Sequence, residues 1–103
     1  MAKPKYDGVV ECVRYKPNGE ILWVRAYERR GATFSDHIII GREELIQKLK
    51  AGKKFVTGKR REFLAGTFDV FSPLRLIQID GREVVVSGDL NANQDHLENV
   101  PII

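Results

Sequence analysis

Cysteine is almost absent from this chain: Cys12 is its only one in 103 residues. An internal disulfide and any multi-cysteine metal site are therefore excluded. Among Val9, Val10 and Val13, the expected role of Cys12 is that of a small buried apolar residue. Long hydrophobic runs are missing too, none reaching the ~18 residues that a membrane-crossing helix needs. The opening Met-Ala-Lys-Pro-Lys carries charge with no apolar stretch behind it, unlike a secretory signal, so a cytoplasmic protein is expected. Repeats, low-complexity tracts and dividing linkers are absent, and 103 residues suit a single domain, 1–103. Residues 1–5 are expected to be flexible. The chain has no P-loop, dinucleotide-binding glycine fingerprint or HExxH pair. Ser35, Ser72 and Ser87 lie outside any G-x-S-x-G turn. Without these motifs the chain reads as a binding module, not an enzyme, and needs no cofactor.

What the chain does have is unevenly placed positive charge. Residues 1–61 hold 15 Lys/Arg against 7 Asp/Glu, whereas 62–103 hold 2 against 7. Seven of the fourteen residues 48–61 are basic and none is acidic: Lys48, Lys50, Lys53, Lys54, Lys59, Arg60 and Arg61. A field concentrated in this way steers an anionic partner toward the chain without setting its fold.

Strand patterns dominate. Residues 6–15 and 21–29 flank Pro17-Asn18-Gly19, a three-residue hairpin loop with glycine available for the left-handed position. That loop predicts pairs whose numbers sum to 36. Val13/Trp23, Glu11/Arg25, Val9/Tyr27 and Asp7/Arg29 then share one face, each pair contributing about 0.2–1 kcal/mol. A loop at 30–36 and a short strand at 37–40 follow. The helix predicted over residues 42–51 sets Leu45, Ile46 and Leu49 on one side. Glu43 and Glu44 fall in its first turn and Lys48 and Lys50 in its last, as the helix dipole favours, with Gly52 as terminator. A hairpin of 54–57 and 61–65 around Gly58-Lys59-Arg60 is expected next, then a strand over 67–71 ending before Ser72-Pro73. The clearest late signal is 74–79 and 82–87 around Asp80-Gly81, a type I′ turn. Residues 88–103 read as irregular, with one helical turn near 94–97. The fold class expected is mainly β: a small antiparallel barrel or strongly curled sheet of six to seven short strands with one helix. The element order resembles that of the OB-fold barrel, from which the extra C-terminal hairpin departs.

Two regions could carry a ligand. The basic segment could neutralise phosphates, while Trp23, Arg25, Tyr27 and Arg29 alternate along one strand face. Cations and flat rings together are what single-stranded nucleic acid requires, each stacked base being worth about 1–3 kcal/mol. Phe34 and Phe55 are further stacking candidates. The structural alternative makes that face a second core, with Glu11–Arg25 and Asp7–Arg29 as ion pairs along its margin. The second region is 89–95, where Asp89, Asn91, Asn93 and Asp95 alternate as in a calcium loop. Gln94 stands there in place of the turn glycine and Val100 in place of the bidentate acid, so a polar loop is the better reading. Asp36-His37 and Asp95-His96 are neighbours in sequence, which does not make a dyad.

The combined expectation is a module that binds nucleic acid or another polyanion through Lys48, Lys50, Lys53, Lys54, Lys59, Arg60, Arg61, Trp23, Arg25 and Tyr27. The alternative is a protein-interaction or structural domain that meets an acidic protein or a second copy of itself, with no membrane partner.

Overall fold

The computed structural model describes residues 6–30, 33–60, 68–88, 94–98 and 100–103. Within them are seven strands and one helix. They run β1 (Gly8–Tyr15), β2 (Ile21–Arg30), β3 (Thr33–Phe34), β4 (Ile38–Gly41), α1 (Arg42–Lys50), β5 (Phe55–Arg60), β6 (Phe68–Ile79) and β7 (Arg82–Ser87). They form one sheet in the order β3-β2-β1-β5-β6-β7, with β4 also pairing β2. The sheet does not close, which corrects the expectation of a barrel. Nor is it wholly antiparallel, because β1 and β5 run parallel where Gly8, Val9 and Val10 meet Phe55, Val56 and Thr57. The helix between β4 and β5 supplies the crossover that such a parallel pair needs.

The β1–β2 hairpin keeps the predicted register at its two ends and loses it in the middle. Val9 faces Tyr27 and Tyr15 faces Ile21, but Cys12 faces Arg25, Val13 faces Val24 and Arg14 faces Trp23. One bulge lies between Val10 and Cys12, and another near Arg14 and Tyr15 restores the register. The cause lies in the spacing of apolar residues. Val10 and Val13 are three apart, as are Ile21 and Val24, and all four are fully buried in one core. A strand with a strict period of two would send one of each pair to the opposite face, and an extra residue corrects this.

That core joins β1, β2, β4, α1, β5 and the β6–β7 hairpin through Val10, Val24, Ile40, Leu45, Phe55, Leu74 and Val85. Burying such aliphatic side chains is worth about 1.5–3 kcal/mol each. The opposite face carries a smaller cluster of Val9, Tyr27, Val56 and Phe68, with Tyr6 and Phe34 packed on it.

Three further expectations change. Gly58, Lys59 and Arg60 belong to strand β5 instead of a turn. The strand expected over 61–65 lies outside the described residues. β6 runs through Ser72 and Pro73 without stopping. At that point its partner changes: β5 pairs with its first half and β7 with its second, so the proline sits at a handover. Residues 94–98 are not helical; His96 bridges Val86 while Leu97 and Val100 enter the main core. Ile102 then bridges Val13, so this segment passes from the edge of β7 to that of β1. The Asp80-Gly81 turn has positive φ at both residues (51° and 79°), the type I′ geometry expected. Among the described residues no helix is long and apolar enough to cross a membrane.

Candidate functional site

Strand β2 does place Trp23, Arg25, Tyr27 and Arg29 on one face of the sheet, the face away from α1. There Arg25, Tyr27 and Arg29 are engaged by Asp7, by β1 and by β5. The Tyr27 hydroxyl donates to Glu11 Oε2 at 2.6 Å, and Arg25 Nη2 lies 3.1 Å from Glu11 Oε1. The same Nη2 is 3.1 Å from Cys12 Sγ, because the bulge turns Cys12 toward Arg25. Arg29 Nη2 donates to Asp7 Oδ1 at 2.9 Å. The Arg60 guanidinium lies 4.3 Å from the centre of the Tyr27 ring, with Phe68 and His37 against the same ring.

Tyr27 is only 5% exposed. Burial first, then the Glu11 hydrogen bond and charge, push its hydroxyl up to about 12, against the opposing effect of Arg60 and Arg25. The ring is covered by a cation, an arrangement worth about 0.5–2 kcal/mol, and a base could reach it only by displacing Arg60. Phe55 is buried in the main core and Phe34 packs on Tyr6 and Phe68. Trp23 is half-buried between Arg14 and Gly41.

The basic residues of 48–60 do not gather into one patch. Lys48 Nζ pairs with Glu28 at 2.7 Å and approaches Glu44 at 3.8 Å, while Lys50 Nζ pairs with Glu83 at 2.8 Å. Alternation along β5 sends Arg60 to the Tyr27 face and Lys59 to the other. Lys59 lies roughly 16 Å from Lys54, at about 3.3 Å per residue. Arg61 lies outside the described residues. Lys53 and Lys54 are exposed side by side and, like Lys59, have no ion pair among the described residues.

Lys53 and Lys54 stand at the rim of the groove of greatest interest. The helix ends at Lys50 and turns on Gly52, whose φ of +87° suits glycine. Its last carbonyls are capped by the amides of Ala51, Gly52 and Lys53. β5 does not begin until Phe55, whereas β6 continues on to Ile79. The space left between helix end and β6 is a groove of about 540 Å³, floored by Leu49, Phe55, Leu74 and Leu76 and edged by Lys53 and Lys54.

Asp7 holds this corner. Its Oδ2 accepts the Lys54 amide at 2.8 Å, and its own amide donates to the Lys54 carbonyl at 2.6 Å. The Lys54 amide, then the Arg29 guanidinium, draw the Asp7 carboxyl below the usual carboxylate range, with a further contribution from the Lys53 charge.

Sequence reasoning missed a densely bonded carboxylate among the described residues. Asp95, only 2% exposed, accepts the amides of Ile21 (2.7 Å) and Val85 (2.9 Å). It also accepts Arg42 Nε at 2.7 Å and Arg42 Nη2 at 3.2 Å. Burial pushes this carboxyl up, but the Arg42 hydrogen bonds, the two amides and the Arg42 charge together hold it below the ordinary value. Both oxygens are thus taken up in joining β2, β7 and the first residue of α1. Asp89, Asn91 and Asn93 of the calcium-like stretch lie outside the described residues. Among the described residues no three His, Cys, Asp or Glu side chains converge as a metal site.

No family model matches the chain, and no curated protein and no solved structure matches it either.

Proposed function

We infer that this chain is a binding module for an anionic partner, which it engages at the groove between the end of α1 and β6. The observation that carries this reading is that two exposed lysines, Lys53 and Lys54, edge an apolar floor and form no ion pair among the described residues. The floor takes up apolar atoms of the partner, and the rim sets the sign of its charge. Of the expected partners, an acidic protein fits better than nucleic acid. The rings that would stack on bases are used internally: Tyr27 lies under Arg60, and Phe55 is in the core. The reading is one of binding without catalysis, in the cytoplasmic setting that the lone Cys12 suits.

Fluorescence anisotropy tests it, with a labelled polyglutamate peptide and a labelled single-stranded DNA at two ionic strengths. The peptide is expected to bind at low salt and to weaken as salt screens the pairs. The double variant Lys53→Glu/Lys54→Glu should lose at least about tenfold in affinity, since two pairs worth up to ~1 kcal/mol each are replaced by repulsion. Equal binding by that variant, or no binding by the natural chain, overturns the reading. Tighter binding of DNA, with a change in Trp23 fluorescence, would return the nucleic-acid alternative to first place.

A further inference from the structure

We propose that the anionic partner is an extended acidic stretch of a protein chain that adds to β6 as a strand, alongside Leu76 and Gln78. This rests on the reading just given and names the partner and the geometry by which it docks.

β6 is twelve residues long but, among the described residues, has no strand neighbour on part of one side. β5 covers it from Phe68 to Pro73, and β7 covers its other side from Leu74 to Ile79. Along residues 74–79 no described strand lies on the side that β5 leaves. The two-residue type I′ turn fixes which backbone groups face that side. Such a turn makes its flanking residues, Ile79 and Arg82, a hydrogen-bonded pair. Bonding then alternates, so Ile77 and Arg75 direct their N–H and C=O toward β7. Leu76 and Gln78 direct theirs the opposite way, the side on which Leu76 lines the groove. Unpaired strand groups of this kind are a template for another strand.

The surroundings select what that strand can be. In an added strand, alternate side chains would fall toward the apolar floor formed by Leu49, Phe55, Leu74 and Leu76. Lys53 and Lys54 stand where such a strand would enter. The nearby Asp7 feels the Lys53 charge but forms its ion pair with Arg29, and with neither lysine. Two exposed cations without an ion pair at an edge repel a basic strand, including the same edge of a second copy, and admit one of opposite charge. The geometry therefore fits a short segment in which acidic and apolar residues alternate.

A six-residue peptide alternating glutamate and valine tests this on the full chain. It is compared with two versions carrying backbone N-methyl groups, one at odd and one at even positions. One methylated register should lose about tenfold in affinity, as expected for one or two hydrogen bonds, while the other binds like the parent. Amide hydrogen exchange at Leu76 and Gln78 should slow on binding. Equal binding of all three peptides, with exchange at Leu76 and Gln78 unchanged, overturns strand addition and leaves the anion-binding reading standing. If neither this peptide nor polyglutamate binds at low salt, both fall.

Discussion

Replacing Asp95 by asparagine removes one charge and keeps the shape, which makes it the sharpest stability test the fold offers. The carboxylate takes four donors: two backbone amides and two nitrogens of Arg42. An asparagine amide turns its NH2 toward donors on one side. With its oxygen left on Ile21 and Arg42 Nε, the Val85 amide and Arg42 Nη2 lose their acceptor. A buried unsatisfied donor costs about 1–3 kcal/mol, and breaking a buried ion pair about 3–5 kcal/mol. Arg42 keeps part of its hydration, with its side chain 20% exposed, and retains the Glu83 carbonyl as acceptor. The loss should therefore fall near 3 kcal/mol, a large share of the ~5–15 kcal/mol typical of a domain. Urea unfolding followed by circular dichroism reads it as a midpoint about 1–3 M lower with an unchanged slope, for slopes of about 1–3 kcal/mol per molar. The same substitution should reduce the acid sensitivity of the fold. Hydrogen bonds and the charges of Arg42 and Arg29 hold Asp95 and Asp7 below the usual carboxylate range. Their stabilisation is then complete above that range and is lost as pH falls through the lower folded values. A loss under about 1 kcal/mol in Asp95→Asn would refute the view of Asp95 as the buried link between β2, β7 and α1.

Two other outcomes can be measured directly. Tyr27 should ionise in the folded protein near 12, so stability falls as pH rises from about 10 toward 12. Absorbance at 295 nm would show this as a tyrosine titrating well after free tyrosine, a step absent from Tyr27→Phe; an ordinary midpoint near 10 for Tyr27 would contradict the Glu11 contact and the burial. Gly58→Ala should destabilise by roughly 1–3 kcal/mol, because a Cβ there would press into the Asp69 carbonyl oxygen where β5 and β6 approach. Thermal unfolding at an unchanged midpoint would show that the approach is looser than described.

Local signals carried much of this architecture. Asp80-Gly81 specified its hairpin through the backbone freedom that a type I′ turn needs, and the charge order of 42–50 matched a helix ended by Gly52. Opposite charges placed Glu11 with Arg25 and Asp7 with Arg29, and the structure pairs both. What escaped was set by long-range packing. The paired bulges follow from Val10–Val13 and Ile21–Val24 sharing one core, a three-residue spacing that the hairpin loop alone does not register. Gly58-Lys59-Arg60 has turn chemistry, yet pairing with β6 holds it extended. Asp95 looked like any polar loop residue, since nothing local reveals that Arg42 and two amides, 10 to 74 residues away, converge on it. The basic run promised a single patch because sequence cannot show that Lys48 and Lys50 find acids while Lys53 and Lys54 do not.

The groove at Lys53 and Lys54 is best tested by mapping backbone amide shifts on the full chain as the alternating glutamate–valine peptide is added. Binding there predicts that Lys53, Lys54, Leu74, Leu76 and Gln78 shift together and saturably, and that raising the salt reverses the change. Shifts confined instead to Trp23, Arg25 and Tyr27 on the opposite face would contradict it.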